Sequence, residues 1–224
     1  MGTAMETASR KKPARSQAER SAFRRRQIIA ATIDSIGKIG FAETTLATVA
    51  KEAGVSQGIL VFHFKTKDAL LEETLRYLAD EYRALWSRAL SAADEGPAER
   101  LRAMLLADFD PPVFTRKKVA VWHAFFGEAK ARPKYLEIYG VLDRAHWEAV
   151  AGLCRELLAG ERGAADEDEA AAIAYGLCAL SDGLWLNFLL TPRGFGRKQA
   201  RHIMLRQLRA YFPDRYEDDA RTVA

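Results

Sequence analysis

The sequence predicts an all-α protein of about nine helices, and three observations lead to this fold class. Apolar residues recur every three or four positions through most of the 224 residues, as on the buried face of a helix. Capping residues and Gly or Pro fall where these periodic segments begin and end. The alternating pattern of a half-buried strand is missing from the sequence.

A helix-turn-helix is predicted near the start of the chain. Thr44 or Thr45 caps its first helix, and Gly54 supplies the turn. Ser56 caps its second helix, which extends from Gln57 to Phe62. The buried face of the first helix is formed by Leu46, Val49, Ala50 and Ala53, which have helical spacing.

Seven further helical segments complete the prediction. One precedes the helix-turn-helix and ends near Gly40. Pro97 starts one of the six that follow, and Pro111 and Pro112 end it, because Pro fits the first turn of a helix but not its interior. The six segments are Lys67 to Ala92, Ala98 to Phe109, Thr115 to Lys130, Pro133 to Leu158, Asp166 to Leu190 and Gly196 to Phe212.

Charge divides the chain into two parts. Residues 1–67 contain 12 Lys and Arg against 5 Asp and Glu, a net charge of +7, whereas the rest contain 22 against 25, a net charge of −3. The positive charge therefore accompanies the helix-turn-helix, as binding to DNA requires. We predict a disordered basic arm (1–18), a DNA-binding domain (19–66), a ligand-binding and dimerisation domain (67–213) and a disordered tail (214–224).

Two runs of basic residues belong to the positive part. A run of like charge is often only a solvated surface. Beside a DNA-reading motif, we favour contact of these side chains with phosphates or with the minor groove. The arm contributes Arg10, Lys11, Lys12 and Arg15, and Arg24, Arg25 and Arg26 open the first helix.

The helix-turn-helix resembles that of the tetracycline-repressor (TetR) family of bacterial regulators. The matching residues are Thr45, the GVSQG turn at 54–58 and the FHFKTK segment at 62–67. By position, the resemblance implies phosphate contacts from Thr45, His63 and Lys67. Double-stranded operator DNA is the partner that the resemblance implies.

The second helix of the motif has the chemistry of a DNA-reading helix. Gln57 can read a base edge, and Gly58 lets the backbone approach DNA closely. The resemblance implies major-groove contacts from Ser56, Gln57 and Gly58. It also places Val61 and Phe62 on the DNA-binding surface, although the family usually has tyrosine where this chain has Phe62.

The second domain resembles that of the choline-sensing repressors of the glycine-betaine pathway. The segments that carry this resemblance are DFDPPVF at 108–114, VAVWHAFFGEA at 119–129 and ALSDGLWLNFLL at 179–190. Regulators that share these segments differ in their ligands. The effector therefore stays open between a choline-like cation and another hydrophobic metabolite.

Aromatic side chains are unusually frequent in the predicted second domain. Such residues usually form a core, and the alternative is a cage for a quaternary ammonium ion, because ring faces attract cations where water is excluded. We predict ligand contacts from Trp122, Phe125, Phe126, Trp147, Asp182 and Trp185. Asp182 lies among apolar residues, where an unpaired carboxylate is costly, so it needs either a structural partner or a bound cation.

Two histidines, His123 and His146, lie on apolar helix faces. Histidines in such positions more often lie in the core, with their ring nitrogens hydrogen-bonded, than contact a ligand. We expect neither a metal nor a cofactor, since the sequence has no HExxH or CxxC pattern.

The segment from Asp166 to Leu190 is apolar over a face too broad for one neighbouring helix. One row is Ile173, Leu177, Leu180, Leu184 and Phe188, and Ala174, Cys178, Trp185 and Leu189 lie beside it. The last helix adds Ile203, Met204, Leu208 and Tyr211. These faces predict a homodimer with a four-helix interface, which also suits a DNA site of two half-sites.

GVSQG also matches the G-x-S-x-G pattern of serine hydrolases, in which Ser56 would be the nucleophile. That turn requires a β-strand immediately before the serine, and the sequence predicts a helix there. We therefore expect that this protein is not an enzyme. An architectural DNA binder without a ligand is a further alternative, and an internal cavity would distinguish the two kinds of DNA-binding protein.

The composition, with 49% hydrophobic and 29% charged residues, is that of a globular soluble protein. No apolar run is long enough to span a bilayer, so we expect no membrane partner and a place in the cytoplasm, at the nucleoid. The two cysteines, Cys154 and Cys178, fit reduced thiols packed in helices.

Together these observations predict a homodimeric transcriptional repressor that a small molecule releases from its operator. The effector would bind among the later helices and turn the helix that starts at Lys67. The two DNA-reading helices would then no longer match successive major grooves.

Overall fold

The structure is a computed structural model that describes residues 16–94, 96–162 and 166–216. These residues form nine α-helices and one short 3-10 helix and contain no β-strand, which confirms the predicted all-α class. The helices are α1 (Gln17–Glu43), α2 (Leu46–Glu52), α3 (Gln57–Phe64), α4 (Lys67–Ala92), α5 (Pro97–Ala107), α6 (Arg116–Ala129), α7 (Pro133–Arg162), α8 (Glu167–Leu190) and α9 (Arg197–Tyr211).

The first helix begins earlier than the sequence predicted. Ser16 caps α1 by accepting a hydrogen bond from the Glu19 backbone, and the Glu19 carboxylate accepts one from the Ser16 backbone. Residues 17 and 18, predicted to belong to an arm over 1–18, are therefore part of α1, and Arg24 to Arg26 lie well inside α1 rather than at its start. The basic residues predicted at 10, 11, 12 and 15 lie outside the described residues.

Gly40 breaks α1 near its end, as the sequence predicted. Its backbone angles of φ 83° and ψ 170° belong to a region that only Gly adopts readily. The turn after this break carries Phe41, whose ring meets the rings of Phe125 and Tyr135 at centroid distances of 5.4 Å and 6.3 Å. Phe41 thereby joins the first helix to α6 and α7.

Helices α2 and α3 form the predicted helix-turn-helix. At the start of α2, the Thr45 backbone N–H donates to the Thr48 hydroxyl at 2.8 Å, and the Thr48 backbone N–H donates to the Thr45 hydroxyl at 3.1 Å. Gly54, with φ 63°, supplies the turn, and Ser56 caps α3 through a 3.3 Å hydrogen bond from the Ile59 backbone. Helix α3 extends two residues beyond the predicted end, to Phe64.

Arg25 holds this small domain together. Its guanidinium donates to the His63 carbonyl at 2.8 Å and to the Glu73 carboxylate at 3.1 Å. It also lies 4.5 Å from the ring centre of Phe64. Arg25 therefore connects α1 to both α3 and α4.

The six remaining helices form the second domain around a shared apolar core. Helix α4 packs against α5 and α7, and α8 packs against α6, α7 and α9. Tyr216 is buried and donates to the Ala98 carbonyl at 2.7 Å. Of the predicted tail over 214–224, residues 214 and 215 therefore belong to the short 3-10 helix and Tyr216 contacts α5, and residues 217–224 lie outside the described part of the chain.

Ion pairs and rings join the two domains. Lys117 on α6 contacts Asp34 on α1 at 2.5 Å. Arg132, just before α7, contacts Asp68 at the start of α4 at 2.5 Å and lies 5.9 Å from the Phe41 ring centre. The first turn of α4, the end of α1 and the start of α7 therefore meet at one place.

Helix α8 corrects one prediction and refines another. It is long and apolar enough to cross a membrane by length and composition, contrary to the expectation that no such run exists. In the row predicted as a dimer surface, Ile173, Leu177 and Leu184 are buried within the protomer, whereas Leu180 and Phe188 are half-buried. A core helix of a soluble protein passes the same test. The apolar side chains exposed on α8 are instead Tyr175, Leu186 and Leu190.

Candidate functional site

The first candidate site is the exposed surface of the helix-turn-helix. Phe62 is 71% exposed, which is unusual for a large aromatic residue and is typical of a binding surface. Its ring lies edge-on to that of His63 at 5.3 Å. Two of the other predicted DNA-contacting residues in this region, His63 and Lys67, are half-buried. The rest are exposed: Thr45, Ser56, Gln57, Gly58 and Val61.

The charged groups of this surface have different environments. Burial and the nearby guanidinium groups of Arg25 and Arg24 lower the pKa of His63, so its ring is neutral at pH 7. Arg24 donates to Gln27 at 2.9 Å. Arg25 has its guanidinium engaged by His63 and Glu73 within the protein, where it positions α3, and its contact with DNA stays a prediction.

The hydrolase interpretation of Ser56 is wrong. Helix α2 and a turn precede this serine, not the strand that a nucleophile elbow requires. The Ser56 hydroxyl is occupied as the acceptor that caps α3. No group of three or more His, Cys, Asp or Glu side chains in the described ranges could hold a metal ion.

The second candidate site is a cavity of about 500 Å³, partly open to solvent, that is lined by α4, α6, α7 and α8 and by Asp108 at the end of α5. Its lining contains seven Phe, Trp or Tyr residues and three Asp, but neither Lys nor Arg among the described residues. The aromatic residues are Tyr82, Trp122, Phe125, Phe126, Tyr135, Tyr139 and Trp185. The acidic residues are Asp108, Asp143 and Asp182.

Asp108 is the centre of the hydrogen bonding at one end of this cavity. Its carboxylate is fully buried and accepts from the Tyr82 hydroxyl at 2.7 Å and from the Ser181 hydroxyl at 2.6 Å. The Trp185 indole N–H donates to its backbone carbonyl at 3.0 Å. Burial raises the pKa of Asp108, and His146 and the two hydroxyl groups oppose this rise.

His146 lies between Asp108 and Cys178. Its Nε2 is 3.7 Å from an Asp108 oxygen, and its Nδ1 is 3.8 Å from the Cys178 sulfur. This order resembles a nucleophile, a base and an acid, but burial and the carboxylates of Asp108 and Asp182 raise the pKa of Cys178. The thiol therefore stays protonated and is a poor nucleophile.

Asp182 and Asp143 complete the acidic end. Asp143 accepts a 3.3 Å hydrogen bond from Tyr139, whereas Asp182 has neither a hydrogen bond nor an ion pair among the described residues. Asp182 is exposed overall, yet burial of its carboxyl, followed by the charges of Asp108 and Asp143, raises its pKa to about 6. At neutral pH the cavity therefore carries uncompensated negative charge.

Five of the six predicted ligand residues line this cavity: Trp122, Phe125, Phe126, Asp182 and Trp185. The sixth, Trp147, does not, because its side chain packs against Tyr175 at 5.1 Å. His123 and His146, expected to be ordinary core residues, also line the cavity.

Sequence reasoning missed the residues at the centre of the acidic end. Asp108, Tyr82 and Ser181 come from three different helical segments. Asp108 lies in the apolar DFDPPVF segment, so the cost of an unpaired carboxylate, applied above to Asp182, could have identified it as well. Tyr82 and Ser181 carried no comparable signal.

Comparison with known proteins gives two family matches along the chain. Residues 28–74 match the family described as bacterial regulatory proteins, tetR family. Residues 97–213 match the family described as BetI-type transcriptional repressor, C-terminal.

Curated relatives that are named as transcriptional regulators are similar to this chain over most of their length. The HTH-type transcriptional regulator BetI of Ectopseudomonas mendocina is 34% identical over 81% of this chain and 89% of its own. That of Burkholderia thailandensis is 36% identical over 80% of this chain and 88% of its own.

Solved structures are similar in fold. A putative transcriptional regulator from Pseudomonas aeruginosa has a TM-score of 0.76 and 28% identity, and the match covers 90% of this chain and 99% of that one. A putative regulator from Saccharomonospora viridis, solved in complex with choline, has a TM-score of 0.71 and 23% identity over 82% of this chain and 94% of that one.

The different chemistry of the Gln57 and Lys67 side chains predicts different effects on DNA binding. Gln57→Ala should cost about 1 to 3 kcal/mol and relax preference at one base position, because an amide reads a base edge. Lys67→Ala should weaken all sequences similarly and reduce the salt slope by about 1, because an ammonium group neutralises a phosphate. Binding to a library of DNA sites at several salt concentrations measures both effects.

A matched control for this prediction is Lys198→Ala, which removes an exposed lysine from α9 in the other domain. It should leave both affinity and salt slope unchanged. A change of base preference with Lys67→Ala but not with Gln57→Ala would reverse the assignment.

The raised pKa of Asp182 predicts a pH-dependent effect on stability. In the folded protein its carboxyl titrates near 6, against an ordinary value of 3.8, so the charged form destabilises the fold as pH rises through this interval. Asp182→Asn should therefore raise the melting temperature of the ligand-free protein above pH 6. The gain should shrink below pH 6 and vanish below about pH 4, where the carboxyl is protonated in both states.

Thermal melts at several pH values test this, with Asp143→Asn as the matched variant. An Asp182→Asn protein that melts at a lower temperature than the wild type at pH 7.5 would show that the carboxylate stabilises the fold.

Proposed function

The chain belongs to the TetR family of bacterial transcriptional regulators and has a BetI-type C-terminal domain, and on this premise we propose that it is a repressor that a small organic cation releases from operator DNA. TetR regulators bind operator DNA and small-molecule effectors. The family is not known for enzymes. The proposal concerns the effector, the direction of regulation, the dimer and a place of action in the cytoplasm.

The observation that supports a cationic effector is the composition of the cavity. Three carboxylates and seven aromatic residues line it, and the described part of the lining contributes neither Lys nor Arg. A carboxylate without a partner, Asp182, attracts a positive charge, and ring faces bind quaternary ammonium ions when water is excluded. The Saccharomonospora viridis regulator, which has the same fold, was solved with choline.

Phe41 is the proposed connection between the cavity and the DNA-reading helices. Its ring contacts those of Phe125 and Tyr135, and both of these residues line the cavity. The break at Gly40 lets the turn that carries Phe41 move against the rest of α1. Arg132 and Asp68 attach the start of α4 to the same place, so an effector that shifts these rings also turns α4.

The proposed repressor acts as a dimer through α8 and α9. Tyr175 and Leu190 on α8 are 66% and 68% exposed, and Ile203 on α9 is 37% exposed. Exposed apolar side chains of this size are typical of a subunit interface. Two recognition helices related by two-fold symmetry suit half-sites about 34 to 36 Å apart.

The effector proposal predicts release of operator DNA by quaternary ammonium compounds. Choline, betaine aldehyde or a larger ammonium ion should weaken the operator complex, because the cavity is acidic and aromatic. The neutral isostere of choline, in which a tert-butyl group replaces the trimethylammonium group, should have little effect. Fluorescence anisotropy of labelled operator DNA measures the release, and calorimetry measures binding to the free protein.

Substitutions of two tryptophans provide the internal control. Trp122→Leu should weaken binding of the cation by roughly 2-fold to 30-fold, the usual contribution of a cation–π contact, and should leave operator affinity unchanged. Trp147→Leu should change neither, because Trp147 does not line the cavity. Release by an uncharged or anionic compound, without response to any cation, would contradict the proposal.

The dimer proposal predicts dissociation when charge is placed on the exposed α8 surface. Tyr175→Asp or Leu190→Asp should yield a monomer with strongly reduced operator affinity, since an unpaired charge at an interface is costly. The control is Ile39→Asp, at a 46% exposed apolar residue of α1. Light scattering that finds an intact dimer for both α8 variants would place the interface elsewhere.

A further inference from the structure

We propose that the effector is larger than choline: an elongated amphiphilic monocation whose ammonium group lies at the acidic end of the cavity and whose apolar body extends along α7 towards Phe41. This inference rests on the proposed function, since it specifies the class of cation that the cavity takes. Three features support it: the length of the cavity, the distribution of charge along it and the position of its apolar end.

The cavity is elongated along α7. The α7 residues in its lining extend from Tyr135 to His146, with Tyr139 and Asp143 between them on the same face. Eleven residues of α-helix at 1.5 Å each correspond to about 16 Å. Helix α6 accompanies this face from Trp122 to Ala129. A slot of this length receives an extended molecule.

Charge is confined to one end of the slot. Asp108 accepts a hydrogen bond from Tyr82 there and lies 3.7 Å from His146. Asp108 and Asp143 are both close enough to Asp182 for their charges to raise its pKa. At the opposite end, where α6 ends and α7 begins, the lining is aromatic or aliphatic. It consists there of Leu75, Phe125, Ala129, Tyr135 and Leu136.

This division favours one cationic group and one apolar body. A second charge at the apolar end would find no carboxylate among the residues that line it there. Choline is much smaller than the drug-sized ligands that cavities of about 300 to 1,000 Å³ usually hold. In a cavity of about 500 Å³, choline would occupy the acidic end and leave the apolar end unfilled.

The apolar end of the slot is the part that contacts the DNA-binding domain. Phe125 and Tyr135 form its wall, and both touch Phe41. A small cation that reaches only the carboxylates therefore disturbs these rings less than a longer cation does. The apolar body of a longer cation displaces them, so the charged group supplies most of the binding and the body strengthens release.

A series of trimethylammonium compounds with growing alkyl chains tests this inference. Tetramethyl-, propyltrimethyl- and hexyltrimethylammonium share one cationic group and differ in the length of the apolar body. Affinity measured by calorimetry should increase roughly threefold to fourfold with each methylene that enters the slot. Release of labelled operator DNA should increase with chain length in the same order.

Two matched comparisons make the test specific. Hexamethonium, which carries a second ammonium group on the same six-carbon chain, should bind more weakly than hexyltrimethylammonium. Ala129→Phe should fill the apolar end of the slot, so that hexyltrimethylammonium loses its advantage while tetramethylammonium binds as it does to the wild type. The unchanged binding of the short compound also shows that the variant is folded.

The outcomes separate this inference from the function on which it rests. Equal affinity and equal release for the short and the long compounds would overturn the elongated effector but keep a cation-responsive repressor. Tighter binding of hexamethonium would overturn the single charged group. Failure of every cation to bind would contradict the proposed function itself.

Discussion

The second domain depends on one buried carboxylate. Asp108 follows α5, and its carboxylate accepts hydrogen bonds from Tyr82 of α4 and Ser181 of α8 and lies 3.7 Å from His146 of α7. Its backbone carbonyl accepts from Trp185 of α8. A carboxylate without access to water is stable only when donors such as the two hydroxyl groups surround it, and loss of one donor leaves its charge less compensated. The four helices are therefore fixed relative to one another at this end, which also defines the acidic end of the cavity.

At the opposite end the contacts are of a different kind. Rings from the end of α1, from α6 and from the start of α7 meet around Phe41, and Arg132 lies over both Phe41 and Tyr135. Ring contacts of this type are less directional than the hydrogen bonds of Asp108 and adjust at lower cost. The cavity therefore has one rigid end that can recognise charge and one adaptable end beside the DNA-binding domain.

Local sequence signals predicted the helices and the helix-turn-helix well. Thr45, Gly54 and Ser56 act through hydrogen bonds and backbone angles within a few residues, so their roles can be read from short segments. The segments around Trp122 and Trp185 that carry the resemblance both contribute to the cavity, whereas α4 and α7, which also line it, lie outside those segments.

Features that depend on distant parts of the chain could not be predicted in the same way. The basic run around Arg25 indicates contact with DNA but cannot show that its guanidinium bonds to groups 38 and 48 residues away. The helical period of α8 could not show that Leu184 faces the core of its own protomer while Leu190 faces outwards. Trp147 has the composition of a cage residue, but its position on α7 directs it to Tyr175.

The central claim is that occupation of the cavity alters DNA binding through Phe41. The most direct test measures the affinity of hexyltrimethylammonium by calorimetry for the free protein and for the operator complex, in the wild type and in Phe41→Leu. In the wild type the operator should weaken cation binding by a factor of roughly 5 to 150, and the cation should weaken operator binding by the same factor. In Phe41→Leu each ligand should still bind alone, but the factor should fall towards 1. An unchanged factor in this variant would contradict the account.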